Sequence, residues 1–138
     1  MAKDTHPVFL IPADKPRLSR LIAFVLGAAT TLAFAPFELS VLAPLTILPL
    51  LYICLTVAPR DAAGHAFWYG FGLILTGTYW IYISVHVYGN AALWIALLLM
   101  VALALLMASV IAIGGWLMSR LSQGDPWQLV VVLSLIHN

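Results

Sequence analysis

Charge is what this sequence has least of. Six basic and five acidic side chains serve 138 residues, 8% of the chain. A water-soluble domain carries about 25% charged residues, because its surface must be wetted. A chain this poor in charge, 64% hydrophobic and with a mean hydropathy of +1.07, has lipid as its natural solvent. A net charge of +1 offers no basic field for nucleic acid and no acidic tract for a disordered tail. The scattered carboxylates supply no paired general acid and base. Cysteine is nearly absent as well. Cys54 stands alone in an apolar run, so it forms no intramolecular disulfide and reads as a small buried or lipid-facing residue. No Ser/His/Asp set converges, and no metal or cofactor motif is legible.

What is present is a series of uncharged runs, and their lengths measure helices. Residues 21–37, between Arg20 and Glu38, would reach about 25 Å as a helix. A first span is expected over about 18–36, closed by Pro36, which lacks the N–H a continuing helix uses. The next run, 39–59, contains Pro44 and Pro49. Neighbouring helices in a membrane bundle can satisfy the carbonyls these prolines free, so a kinked helix is expected over about 39–58, closed by Pro59 and Arg60. Between Asp61 and Arg120 lie 58 residues without formal charge. As one helix they would extend about 87 Å, against about 30 Å of hydrocarbon. The run must fold back, and Tyr88-Gly89-Asn90 is the good turn, because Gly and Asn tolerate left-handed backbone. Helices are therefore expected over about 64–86 and 91–118. After the turn-rich segment 122–126 an apolar run restarts at Trp127 and reaches Ile136, too short to span. The expected fold is all-α: a polytopic transmembrane bundle of four full helices and a truncated fifth over 127–138, so the chain reads as a fragment.

The basic residues orient the bundle. Lys3, Lys15, Arg17 and Arg20 precede the first helix, Arg60 lies between the second and third, and Arg120 follows the fourth. With four spans all six fall on one side, which the positive-inside rule makes cytoplasmic. Residues 1–17 then form a cytoplasmic N-terminal segment, and Glu38 and the 87–90 turn lie outside. Trp68, Tyr69 and Trp116 come at the inner level, and Tyr79, Trp80, Tyr82, Tyr88 and Trp94 at the outer, where amphipathic rings are favoured. Ala33-Phe34-Ala35 mimics a signal-peptide cleavage site, but the proline that follows resists cleavage and the rest of the chain is equally apolar.

Few residues invite a chemical role. Gly70, Gly77 and Ser84 recur every seven residues and form a small-residue stripe suited to helix packing in lipid. Gly70-x-Gly72 is no dinucleotide fingerprint, having no third glycine at 75 and no preceding strand. His86, near the outer end of the third helix, is either a functional ionisable group at membrane depth or an ordinary interfacial histidine; the second reading suits its place beside the turn. His65 at the inner end invites only the ordinary one.

Two stretches are more specific than composition. Gly27-Ala-Ala-Thr-Thr-Leu-Ala-Phe-Ala-Pro-Phe-Glu ends the first expected helix. Phe67-Trp-Tyr-Gly-Phe-Gly-Leu-Ile-Leu-Thr-Gly-Thr-Tyr-Trp-Ile-Tyr-Ile-Ser-Val-His-Val-Tyr-Gly makes the third and its turn. In order, spacing and intervening length, over about residues 18–130, they resemble the N-terminal membrane region of the bacterial apolipoprotein N-acyltransferases. The resemblance implies a multi-pass enzyme of the bacterial inner membrane with eight helices and a periplasmic nitrilase-type domain. Such an enzyme transfers an acyl chain from a phospholipid to the N-terminal amine of a diacylglyceryl apolipoprotein. Its Glu-Lys-Cys triad acts through a cysteine thioester. That triad maps to no residue here, and Cys54 is not its nucleophile. The implied partners are membrane lipids, with a phospholipid donor and an apolipoprotein acceptor; no cofactor, metal or nucleic acid is expected. This piece would serve as scaffold, with Trp80, Tyr82 and Tyr88 lining or supporting the acyl-chain site. The rival class is a non-enzymatic small multi-pass protein, an assembly factor or a transporter half.

Overall fold

The computed structural model describes residues 16–34, 39 and 41–122, and every regular element among them is helical. Helix α1 spans Pro16–Thr30 and tightens into a 3₁₀ turn, Thr31–Ala33. Proline at its first position has the helical φ already set and no N–H to waste. Pro36 and Glu38, expected at the end of this helix and in the loop beyond, lie outside the described residues.

Helix α2 spans Leu42–Thr56. Of the two prolines expected to kink it, Pro44 falls in the first turn, where an N–H has no helical partner anyway. Only Pro49 is interior, and there the N–H that would reach the Leu45 carbonyl is missing. Pro59 does not close α2; it opens α3, Pro59–Gly77, as the first helical residue, with Asp61 in the first turn complementing the positive end of the helix dipole. The third helix thus begins before the expected residue 64.

It also fails to run unbroken to 86. At Thr78 (φ −94°, ψ 16°) the helix breaks, and α4, Tyr79–Tyr82, leads into a π-helical turn, Ile83–Tyr88. The two arms are bent by 44°. The sequence around the break, Thr76-Gly77-Thr78, supplies a cause. Thr76 donates to the Gly72 carbonyl at 2.8 Å and Thr78 to the Ile74 carbonyl at 2.7 Å. Hydroxyls that back-bond in this way compete with the main-chain ladder and bend helices. The reversal that follows uses Asn90, at φ 50°, as its left-handed residue. Gly89 is right-handed (φ −81°), and its lack of a Cβ serves close approach to the Val85 carbonyl instead. Helix α5 then runs from Leu93 to Ser122, 30 residues or about 45 Å.

Helix α3 is the centre of the bundle, packed along α1 on one side and α5 on the other, with α2 touching all three. Its interfaces are built from small residues. A Cβ at Gly27 would overlap the Tyr69 carbonyl, and one at Gly72 the Phe24 carbonyl, so α1 and α3 cross backbone to backbone. Across from α5, Ala62 and Ala66 meet Gly115, and Gly70 meets Ala108 and Ile111. The buried residues of α5, Ala96, Met100, Ala104, Ala108, Gly115 and Ser119, recur at steps of four or seven residues, which keeps them on one face of the helix. Large residues turn outward: Leu98, Leu106 and Ile113 are all more than half exposed. Small inside and large outside reverses the usual order of a water-soluble core.

Helix α5 is long and apolar enough to cross a bilayer. Helix α3 with α4 and the π turn meets the same standard as a bent pair, and α2 is apolar but shorter. At one end of the bundle Ser119 donates to the Val57 carbonyl at 2.7 Å, and the Ser19 hydroxyl meets His65 at 2.6 Å. These contacts gather the start of α1, the α2–α3 junction and the end of α5, and with them Arg17, Arg20, Arg60 and Arg120.

Candidate functional site

The broken arm of the third helix carries an aromatic ladder. Tyr79 stacks on Tyr82 with ring centres 5.7 Å apart, and Tyr82 lies against His86 at 5.3 Å. A 3.6-residue turn places residues three and four apart on one face, which is why these rings meet. His86 then bonds through Nδ1 to the Ala91 carbonyl at 2.8 Å. A carbonyl only accepts, so Nδ1 carries the proton, and the ring pins the far side of the reversal. The sequence does not show this contact, which is made across the turn.

Of the three residues expected to line a lipid wall, Trp80 is 63% exposed and Tyr88 83% exposed, while Tyr82 is half-buried within the ladder. No ring contact joins the three to one another among the described residues. The small-residue stripe is likewise divided. Gly70 is buried against α5; Gly77 faces only the Thr31 side chain, 3.9 Å from where a Cβ would stand; Ser84 is exposed on the far arm of the bend.

Two polar clusters escape a linear reading. Thr30 Oγ1 lies 2.7 Å from both Thr46 Oγ1 and Tyr69 Oη, so a buried knot of hydroxyls ties α1, α2 and α3. Near the opposite end of α1, His65 Nδ1 donates to the Asp61 carbonyl at 2.7 Å, leaving Nε2 to accept from Ser19. A serine held by a histidine is the start of a nucleophilic arrangement. Here Ser19 is only 3% exposed and the histidine is oriented by a main-chain carbonyl, so the pair is an interhelical clamp without room for substrate. Ser19 and His65 are 46 residues apart, and only the pairing of α1 with α3 reveals them. Among the described residues no three His, Cys, Asp or Glu side chains gather as metal ligands.

The described residues form a lipid-compatible bundle, and comparison with known proteins supplies the lineage. Residues 26–137 match the family model described as the apolipoprotein N-acyltransferase N-terminal domain. The chain belongs to the apolipoprotein N-acyltransferase family. It is 52% identical over 101 residues to the apolipoprotein N-acyltransferase of Azotobacter vinelandii, covering 72% of this chain and 19% of that protein. The Pseudomonas putida relative is 40% identical over 100 residues, covering 72% and 20%. That of Ralstonia nicotianae is 34% identical over 116 residues, covering 83% and 22%. The chain spans about a fifth of the length of these relatives. Within it, the stretch that matches the apolipoprotein N-acyltransferase family contains the hydroxyl knot, the Thr78 break, the aromatic ladder and the described length of α5. It begins at Leu26, after Arg17, Ser19 and Arg20.

Proposed function

We propose that this chain is the N-terminal part of the membrane domain of an enzyme that transfers a fatty acyl chain from a phospholipid to the N-terminal amine of a diacylglyceryl apolipoprotein. The observation that carries this reading is the family match over residues 26–137. The inside-out distribution of small and large residues supports it, because helices in lipid associate through close packing of small side chains rather than through burial of large ones.

In this reading α1, α2, the bent α3–α4 arm and α5 cross the bacterial inner membrane, and residues 1–17 are cytoplasmic. The gathering of Arg17, Arg20, Arg60 and Arg120 at one end of the bundle supports that orientation. The covalent step, through a cysteine thioester, belongs to residues outside these 138. Cys54 is buried against Ala62 and Ala66 and takes no part, so the piece alone transfers nothing. Its contribution is scaffold and lipid access. Trp80 and Tyr88 stand exposed at the outer end, at the depth where both lipid substrates arrive sideways, and the Tyr79–Tyr82–His86 ladder braces the arm that carries them.

A graft tests this. The Azotobacter vinelandii relative, with its matching residues replaced by those of this chain, is expected to N-acylate apolipoprotein in cells depleted of their own enzyme. Trp80→Ala and Tyr88→Ala in the graft are expected to slow acylation several-fold at unchanged membrane abundance. Full activity in both would remove the lipid-wall role. A graft that accumulates in the membrane yet acylates nothing would remove the scaffold assignment.

A further inference from the structure

A groove of about 450 Å³ opens between the start of α1 and the facing stretch of α3, lined by Arg17, Arg20, Leu21, Phe24, Trp68 and Phe71. Its chemistry is split along its length. Arg17, Arg20, Leu21 and Phe24 follow the i, i+3, i+4, i+7 pattern of one helix face, so the two guanidinium groups precede the apolar side chains along the axis. Phe24, Trp68 and Phe71 form the apolar end as mutual ring contacts, with centroids 6.0–6.5 Å apart. The Arg20 guanidinium lies over Gly64, its Nε 3.6 Å from where a Cβ would stand, so glycine at that position leaves the cation room against α3. Asp61 is the one carboxylate among the described residues. Neither the aromatic floor nor the paired cations is used by the acyl-transfer reading, and the arginines precede the stretch matched by the family model.

We propose that this groove binds an anionic phospholipid of the cytoplasmic leaflet, its phosphate between Arg17 and Arg20 and an acyl chain over Phe24, Trp68 and Phe71. The inference rests on the cytoplasmic placement of the N-terminus put forward above. Two cations at the mouth of an apolar, ring-floored channel complement an amphipathic anion. A free phosphate would use the mouth and leave the floor unoccupied, whereas a zwitterionic lipid would fill the floor and bring a cationic group to the arginines. Basic residues at the membrane surface attract anionic lipid with about 1 kcal/mol each, which is about a fivefold preference per arginine.

The test is native mass spectrometry of the full 138-residue chain released from nanodiscs of mixed phosphatidylglycerol and phosphatidylcholine. Retention of phosphatidylglycerol over phosphatidylcholine is expected, surviving an excess of inorganic phosphate. The R17Q/R20Q variant is expected to lose about 25-fold of that preference, two factors of five. R60Q/R120Q, with the same loss of charge at the same end of the bundle, is expected to keep it, and R17K/R20K to retain most of it. Equal losses in both glutamine pairs would reduce the effect to general surface charge and overturn the site. Displacement by phosphate alone would overturn the lipid assignment. Carbonate extraction of the same chain from cells separates the two readings. A chain that stays embedded but shows no preference sinks this proposal alone, and a chain that is extracted sinks it together with the membrane reading beneath it.

Discussion

Gly27 and Gly72 both lie in the α1–α3 crossing with no room for a methyl group, because what each would strike is the main chain of the opposite helix, at Tyr69 and Phe24. A flexible side chain can move aside; a carbonyl inside a helix cannot without displacing the helix. Gly72→Ala is therefore expected to destabilise the bundle by about 1–3 kcal/mol, the usual range for overpacking. Gly114 has nothing within 4 Å of its Cβ position. Gly114→Ala is expected to be neutral or to stabilise by about 0.5–1 kcal/mol through the lower entropy of alanine. Unfolding midpoints in mixed detergent micelles compare the two, and equal effects would refute the backbone-to-backbone crossing. None of this contrast is legible along the chain. The seven-residue recurrence of Gly70, Gly77 and Ser84 stands out in the sequence, but it assumes one straight helix, and the break at Thr78 puts Ser84 on a different arm. Which glycine matters depends on which helix passes nearby, and that is information held between elements.

At the scale of elements, the bend in the third helix is the main departure from a linear reading. Uncharged length and hydropathy are the same for a straight span and a bent one, so 64–86 reads as continuous. The cue is local: two threonines around a glycine, each returning a hydrogen bond to a carbonyl four residues back. Removing both hydroxyls in Thr76→Ala/Thr78→Ala is expected to relax the 44° bend. Spin labels at positions 63 and 87, in a Cys54→Ala background, report it as a distance rising toward the roughly 36 Å of a straight 24-residue rise. An unchanged distance would place the cause of the bend in the packing of α4 against α5 instead. Prolines divide in the same way between the legible and the hidden. Pro44 and Pro59 look like breakers in the sequence, yet both occupy first turns, and only the positions of the neighbouring caps decide this.

For the whole molecule, the all-α architecture and the family follow from the sequence because both rest on features that survive without coordinates: uncharged length, and the motifs at 27–38 and 67–89. The aromatic-floored groove at the start of α1 does not, since its two walls are more than 40 residues apart. Orientation is open to direct measurement. Alkaline phosphatase fused after Asn90 is expected to be active, and fusions after Val57 and Ser122 inactive. The reverse pattern would invert the bundle, and uniform inactivity would deny it a crossing. In a membrane, the helices described above are unequal in reach. Helix α2, with 15 residues, extends about 22 Å, whereas α5, with 30, extends about 45 Å. Hydrocarbon about 30 Å thick is too deep for the first and too shallow for the second unless it tilts. In the proposed membrane reading, lipid beside α2 would thin while α5 would tilt or thicken the lipid beside it, so the bundle would impose a slope on the bilayer around it. Acyl chains along that slope would be strained ahead of any transfer.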